Sequence, residues 1–146
     1  MSAREQRAAQ AVKELRRYAK LKVRIESLQD RLEMLDAEMH GIKSGIGGES
    51  VKSGGGDNRL DALIDQKTKV QDDINSCTAQ ITITERAIDA LEQDERLCLQ
   101  RFFFDNLHAN EAANMLIDEL HIEVASVWRL RQRSLINYAE LAGIIV

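Results

Sequence analysis

From Leu21 the apolar residues of this chain recur at Ile25, Leu28, Leu32, Leu35, Met39 and Ile42, with spacings of 4, 3, 4, 3, 4 and 3. That alternation keeps the apolar side chains on one seam of a slightly underwound helix, the pattern of a coiled coil. Upstream, Ala8, Val12, Leu15 and Tyr18 continue the stripe with a small change of register. A second seam runs through Leu60, Leu63, Lys67, Val70, Ile74, Cys77, Ile81, Thr84, Ile88 and Leu91, again in alternating steps of 3 and 4. Lys67 and Thr84 interrupt it, and polar residues at such positions fix register or partner orientation at a cost in stability.

Composition supports two long helices. The chain of 146 residues has no proline, which permits uninterrupted helices. Aromatic residues make up 4%, too few for a thick core, so narrow buried stripes are expected. Between the seams, seven of the eight glycines fall within residues 41–56. Such a cluster opposes helix and predicts a loop. It lacks the Gly-Lys-Ser/Thr ending and the preceding strand that a phosphate-cradling loop needs. Asp57 is expected to cap the helix that follows.

Two heptad helices joined by a short loop predict an antiparallel hairpin. Charge placement agrees. Residues 1–24 carry eight Lys or Arg against two Glu, and residues 72–96 carry seven Asp or Glu against two Arg. In a hairpin these stretches lie opposite each other, so Lys13, Arg16, Arg17, Lys20 and Arg24 are expected to face Glu85, Asp89 and Glu92. Binding of nucleic acid by the basic N-terminus is the alternative. A lone hairpin leaves part of each stripe wet, which predicts self-association into a dimer or larger homo-oligomer.

The last third changes character. Leu91 to Phe104 reads as a helix that gathers all three phenylalanines at residues 102–104, as core rather than as a stacking platform. Asp105-Asn106 reads as its stop. Ala112, Ala113, Leu116 and Leu120 give a short amphipathic helix, residues 121–125 a turn, and a further helix runs to about Leu141, ended by Ala142-Gly143. Three short helices on a small apolar core predict a helix-turn-helix unit. The fold class is therefore all-α, with a long antiparallel coiled-coil hairpin over 1–92 and a helix-turn-helix unit over 93–146.

Within that last helix, Ser126 to Leu135 holds three arginines, one glutamine and the single tryptophan, with no acid. Val127, Leu130 and Ser134 fall on one helical face. Arg129, Arg131, Gln132 and Arg133 fall off it, and with Ser126 and Trp128 they form the candidate DNA-binding residues. Arg and Gln offer bidentate hydrogen bonds to base edges, and Arg also neutralises phosphate. Trp128 serves equally well as a core anchor.

Other chemistry has little support. His40, His108 and His121 lie far apart without companions at metal-ligand spacing. No nucleophile–base or paired-carboxylate arrangement stands out, so no enzyme activity, metal or cofactor is expected. Cys77 and Cys98 read as buried thiols. With no apolar run of membrane-spanning length, a soluble intracellular protein without a membrane partner is expected.

Residues 91–138 resemble the fourth conserved region of bacterial sigma factors. The resemblance rests on Glu95-Arg96-Leu97, on Glu111-Ala112-Ala113, and on Val127 with Arg133-Ser134-Leu135. With the N-terminal hairpin and the Ser53-Gly54-Gly55-Gly56 break, the whole chain resembles small phage regulators of the ArpU/RinA type. These place a coiled-coil hairpin before a sigma-like helix-turn-helix. Two departures are plain: His108 stands where the family has a Ser/Thr cap, and the stretch from Ala113 to Arg133 is longer by about four residues, close to one helical turn.

The resemblance implies a phage or prophage regulator of late genes, acting on double-stranded DNA in the cytoplasm of a bacterial host, with RNA polymerase as a further partner. It implies contacts from Ser126, Arg129, Gln132 and Trp128, and pairs Arg133 with Glu111 of the preceding helix. A different class stays open, in which the chain is a coiled-coil interaction module that holds polymerase or a host factor without reading DNA.

Overall fold

The computed structural model describes residues 1–42 and 55–146. All regular structure among them is helical: α1 (Ala3–His40), α2 (Gly55–Asp89), α3 (Gln93–Leu99), α4 (Ala109–Leu120) and α5 (Val124–Leu141). A π-turn over Gln100–Phe104 extends α3. Residues 43–54 of the expected glycine loop lie outside the described residues. None of the described helices is long and apolar enough to cross a membrane.

Both expected seams are buried or half-buried at every described position, Lys67 and Thr84 included. α2 begins at Gly55, so Asp57 lies inside its first turn and is not the residue before it. Two glycines cost about 2 kcal/mol of helix propensity. A helix of 35 residues that packs along its length outweighs that.

By its contacts the chain divides into two units, Leu21–Gln80 and Met1–Lys20 with Ile81–Val146. In the first of these, α1 and α2 pair with opposite chain sense. Arg24 meets Asp73 at 2.8 Å, Asp36 meets Lys67 at 2.8 Å, and Glu38 lies 3.9 Å from Arg59. Leu28, Ile74 and Cys77 form the core, flanked by Leu21, Ile25, Leu32 and Val70.

The other unit is built on the beginning of α1 and the end of α2. Ala8, Ala11 and Leu15 of α1 pack with Ala87 and Leu91, with Leu99 of α3, and with Leu135, Tyr138 and Ala139 of α5. A second cluster joins Cys98, Ala113, Leu116, Val127 and Leu130. Both cysteines are free and buried.

One expected helix is divided. Leu91 is buried in a turn, and α3 starts at Gln93 after an extended Glu92. The cause is local: the Glu92 amide donates to the Glu95 carboxylate at 3.3 Å, and a new helix begins there. The π-turn follows, closed by the Asp105 amide donating to the Gln100 carbonyl at 3.1 Å. Its wider winding turns Phe102 toward the second cluster and Phe103 and Phe104 toward the first. Asn106 then takes a left-handed φ of 58° and ends the run, a conformation Asn adopts more readily than most residues.

The predicted charge pairing across the helix pair does not form as expected. Arg24 pairs with Asp73. Glu85 accepts a hydrogen bond from the Tyr18 hydroxyl at 2.6 Å. Lys13, Arg16, Arg17 and Lys20 are exposed and meet no acid among the described residues. Helical geometry explains this, because their spacing puts them on the face of α1 opposite Ala8, Ala11 and Leu15.

Candidate nucleic-acid interface

α4 and α5 are joined by His121, Ile122 and Glu123, a turn shorter than the predicted 121–125. α4 starts where the His108 amide donates to the Glu111 carboxylate at 3.3 Å, which satisfies a free backbone donor at the helix start. Glu111 is therefore engaged in its own helix. Ala112, Ala113 and Leu116 bury the inner face of α4. His121 turns the chain with a left-handed φ of 55°. Glu123 is extended, and its carbonyl accepts from the Ser126 and Val127 amides at 3.0 and 3.1 Å, which starts α5.

α5 then shows three kinds of surface. Val127, Leu130, Ser134, Leu135, Tyr138 and Ala139 are buried. The Ser134 hydroxyl donates to the Leu130 carbonyl at 2.7 Å, so a polar side chain enters the core without an unmet donor. Opposite them, Arg129 and Gln132 are exposed and Ser126 is half-buried. The Arg129 guanidinium donates to the Ser126 hydroxyl at 3.2 Å and has no acid partner among the described residues.

Trp128 and Arg131 form the third surface. Trp128 is 42% exposed and its ring lies 5.5 Å from that of Phe102. It is therefore half anchor and half surface, a division between the two sequence readings. Arg131 is half-buried, its guanidinium 5.1 Å from the Phe102 ring and 5.3 Å from Phe103, and its Nε is buried with no hydrogen-bond partner among the described residues. Burial is the main cause that holds its pKa below the usual arginine range.

Arg133 is placed differently from the resemblance. Its partner is not Glu111. Its guanidinium donates to Asp94 at 2.8 Å and to Glu95 at 3.2 Å, both on α3. Glu95 is only 2% exposed, and its carboxylate also accepts from Asn137 Nδ2 at 2.5 Å. A buried carboxylate needs such donors. Glu111, held by its own helix start, is not the acid that meets Arg133. Arg133 thus ties α5 to α3.

Other polar residues that hold α5 gave weaker signals. Tyr138, fully buried, donates to Glu14 of α1 at 3.2 Å and shares a hydrogen bond of 2.9 Å with Thr84 of α2. Thr84 was legible as a polar seam residue, but its partner was not. Arg101 donates two bonds of 2.9 Å to Glu119, which holds the Glu119 carboxyl below its ordinary pKa. One of the acids near the turn is thereby neutralised. Glu95 carried a signal as the third residue after Glu92, the spacing of a capping box.

Compared with models of protein families, with curated proteins and with solved structures, the chain has no significant match.

Proposed function

We propose that this chain is a DNA-binding transcriptional regulator of phage or prophage late genes. In this reading α4, the turn and α5 act as a helix-turn-helix unit, and α5 enters the major groove. Ser126, Arg129 and Gln132 would contact base edges and phosphates, Trp128 would border the contact, and Arg131 and Arg133 would hold the helix in place. Residues 3–92 would act as a coiled-coil hairpin that pairs protomers, so that two recognition helices meet two half-sites.

One observation carries the reading. Arg129 and Gln132 are exposed on one side of a helix whose other side is fixed by Val127, Leu130 and Leu135. Rigid presentation of polar side chains that no acid engages is what base readout requires. The sigma-like motif around these residues adds support.

The test is selection of bound duplexes from a random-sequence pool. Wild-type protein should enrich a consistent sequence. Arg129→Ala with Gln132→Ala should weaken binding to it by roughly 10- to 1,000-fold, while helical circular dichroism is unchanged. Wild-type protein that enriches no sequence and retains no duplex even at low salt would end the reading.

The second reading, a protein-interaction module, draws on exposed Val124 and Trp128 near the start of α5. Under it, Trp128→Ala would abolish capture of RNA polymerase while no DNA is bound.

A further inference from the structure

Four cations share the outer face of α1. Lys13, Arg16, Arg17 and Lys20 are exposed, and none meets an acid among the described residues. Their spacing of 3, 1 and 3 residues puts them on one side of the helix, over about 10 Å of its length. Like charges three and four residues apart repel, so the stripe slightly destabilises α1 unless an external anion meets it. A net charge of -4 for the chain makes this local concentration of positive charge the more notable.

The stripe lies in the same compact unit as α5. Arg16 is near enough to Arg131 for its charge to add to the lowering of the Arg131 pKa, behind the larger effect of burial. The partner should be a polyanion with closely spaced charges. A duplex carries about one phosphate per 1.7 Å of its axis, so about 10 Å offers more phosphates than the stripe has cations. A membrane surface fits poorly, because the stripe is flanked by Ala9 and Gln10 with no large apolar anchor at its centre.

We infer that Lys13, Arg16, Arg17 and Lys20 of α1 form a second DNA contact, which grips phosphate on a face of its own, separate from the surface of Arg129 and Gln132 on α5. The inference rests on the proposal that the chain binds DNA. It adds a sequence-independent grip to a sequence-reading helix, and the two are separable.

The experiment measures binding to a mixed-sequence duplex and to the selected sequence over a range of salt. The variants are Lys13→Gln/Arg16→Gln/Arg17→Gln/Lys20→Gln, the charge-keeping Lys13→Arg/Arg16→Lys/Arg17→Lys/Lys20→Arg, and Arg129→Ala/Gln132→Ala. Loss of four phosphate contacts should make the slope of log affinity on log salt shallower by about 3.6. The advantage of wild type over the glutamine variant should then shrink on the order of a hundredfold between about 50 and about 200 mM salt.

That loss should be equal on both duplexes, and the charge-keeping variant should match wild type. Arg129→Ala/Gln132→Ala should lose the preference for the selected sequence instead. A wild-type slope in the glutamine variant would overturn the α1 contact and leave the α5 reading intact. Wild-type protein that binds no duplex would overturn both. Equal dependence on the four cations with poly-glutamate would reassign the face to an acidic protein.

Discussion

Between Leu21 and Gln80 the two long helices touch along a narrow seam, whereas Met1–Lys20 and Ile81–Val146 gather five helical segments around two cores. The difference is visible in burial. Leu28, Ile74 and Cys77, the core of the seam, each keep 8% exposure. Ala11, Leu15, Leu99, Leu116, Val127 and Tyr138 in the other unit keep none. It is visible again in the polar contacts. The seam is bordered by half-exposed ion pairs, such as Arg24–Asp73. The larger unit buries Glu95 against Arg133 and Asn137, and Tyr138 against Thr84 and Glu14. A periodic stripe suffices to pair two helices. Fixing the orientation of a short helix such as α5 takes buried polar contacts at particular positions.

The largest test of this contrast is a matched pair of truncations. Leu135 is 1% exposed at the centre of the first core, and Leu135→Ala should cost about 3–4 kcal/mol, since close packing on every side prevents collapse into the cavity. Leu28→Ala at the seam should cost about 2 kcal/mol, near the low end for such truncations, because water already reaches its edge. Urea titrations of both variants decide it, and equal losses would break the comparison.

The next largest effect concerns Glu95. Glu95→Ala removes the acceptor of Arg133 and Asn137. Because the Arg133 side chain is 54% exposed, no charge is left stranded in the core, and the cost should be about 2 kcal/mol. A double-mutant cycle with Arg133→Ala should return a coupling of at least about 0.5 kcal/mol. Additivity would mean that the Arg133–Glu95 contact does not help to hold α5.

What the sequence made legible follows from the same contrast. The seams could be read residue by residue, because heptad spacing is a local property of each helix. The division of α5 into a buried face of Val127, Leu130 and Ser134 and an exposed face with Arg129 and Gln132 was legible for that reason as well. Not legible was whatever depends on two distant segments. Arg133 meets Glu95 and not Glu111, because the π-turn at Gln100–Phe104 and the cap at Glu92 decide where α3 lies. Opposite charge in the two stretches revealed pairing only in part: Arg24 meets Asp73, whereas Lys13, Arg16, Arg17 and Lys20 meet none of the acids expected to face them. Net charge along a sequence ignores the helical angle.

Each unit holds one cysteine, and the pair offers a measure of local opening. Cys98 has no exposure and Cys77 has 8%. Under native conditions a thiol reagent should modify Cys77 at least about tenfold faster, since a tenfold difference needs only about 1.4 kcal/mol between the two opening free energies. pH bears on Cys98 in its own right. Burial pushes the Cys98 thiol up to about 11, with the Ser134 hydrogen bond opposing. The folded state then holds this proton more tightly than the unfolded chain, whose thiol titrates near about 8.5. Stability from this group is complete below about pH 8.5 and is lost as pH rises toward about 11. Tyr138, also pushed up by burial, acts in the same direction at still higher pH. Alkaline urea titrations of wild type against Cys98→Ala should show the steeper fall in wild type, and parallel curves would remove Cys98 as the cause.

The smallest expected effect is at Arg24. Its side chain and that of Asp73 are 55% and 54% exposed at a separation of 2.8 Å. Water and salt screen such a pair, and ordering two flexible side chains offsets much of the attraction. Arg24→Ala should therefore change stability by less than about 0.5 kcal/mol, and the change should vanish in about 0.5 M salt. Lys67 differs in kind. It occupies a seam position and reaches out to Asp36 at 2.8 Å. Lys67→Leu would fill the seam with apolar surface and should raise stability by about 1 kcal/mol, while relaxing the selection of one register that a polar seam residue imposes. Stability that falls on Lys67→Leu, or an Arg24→Ala loss as large as that of Glu95→Ala, would mean that the seam depends on specific polar contacts as much as the larger unit does.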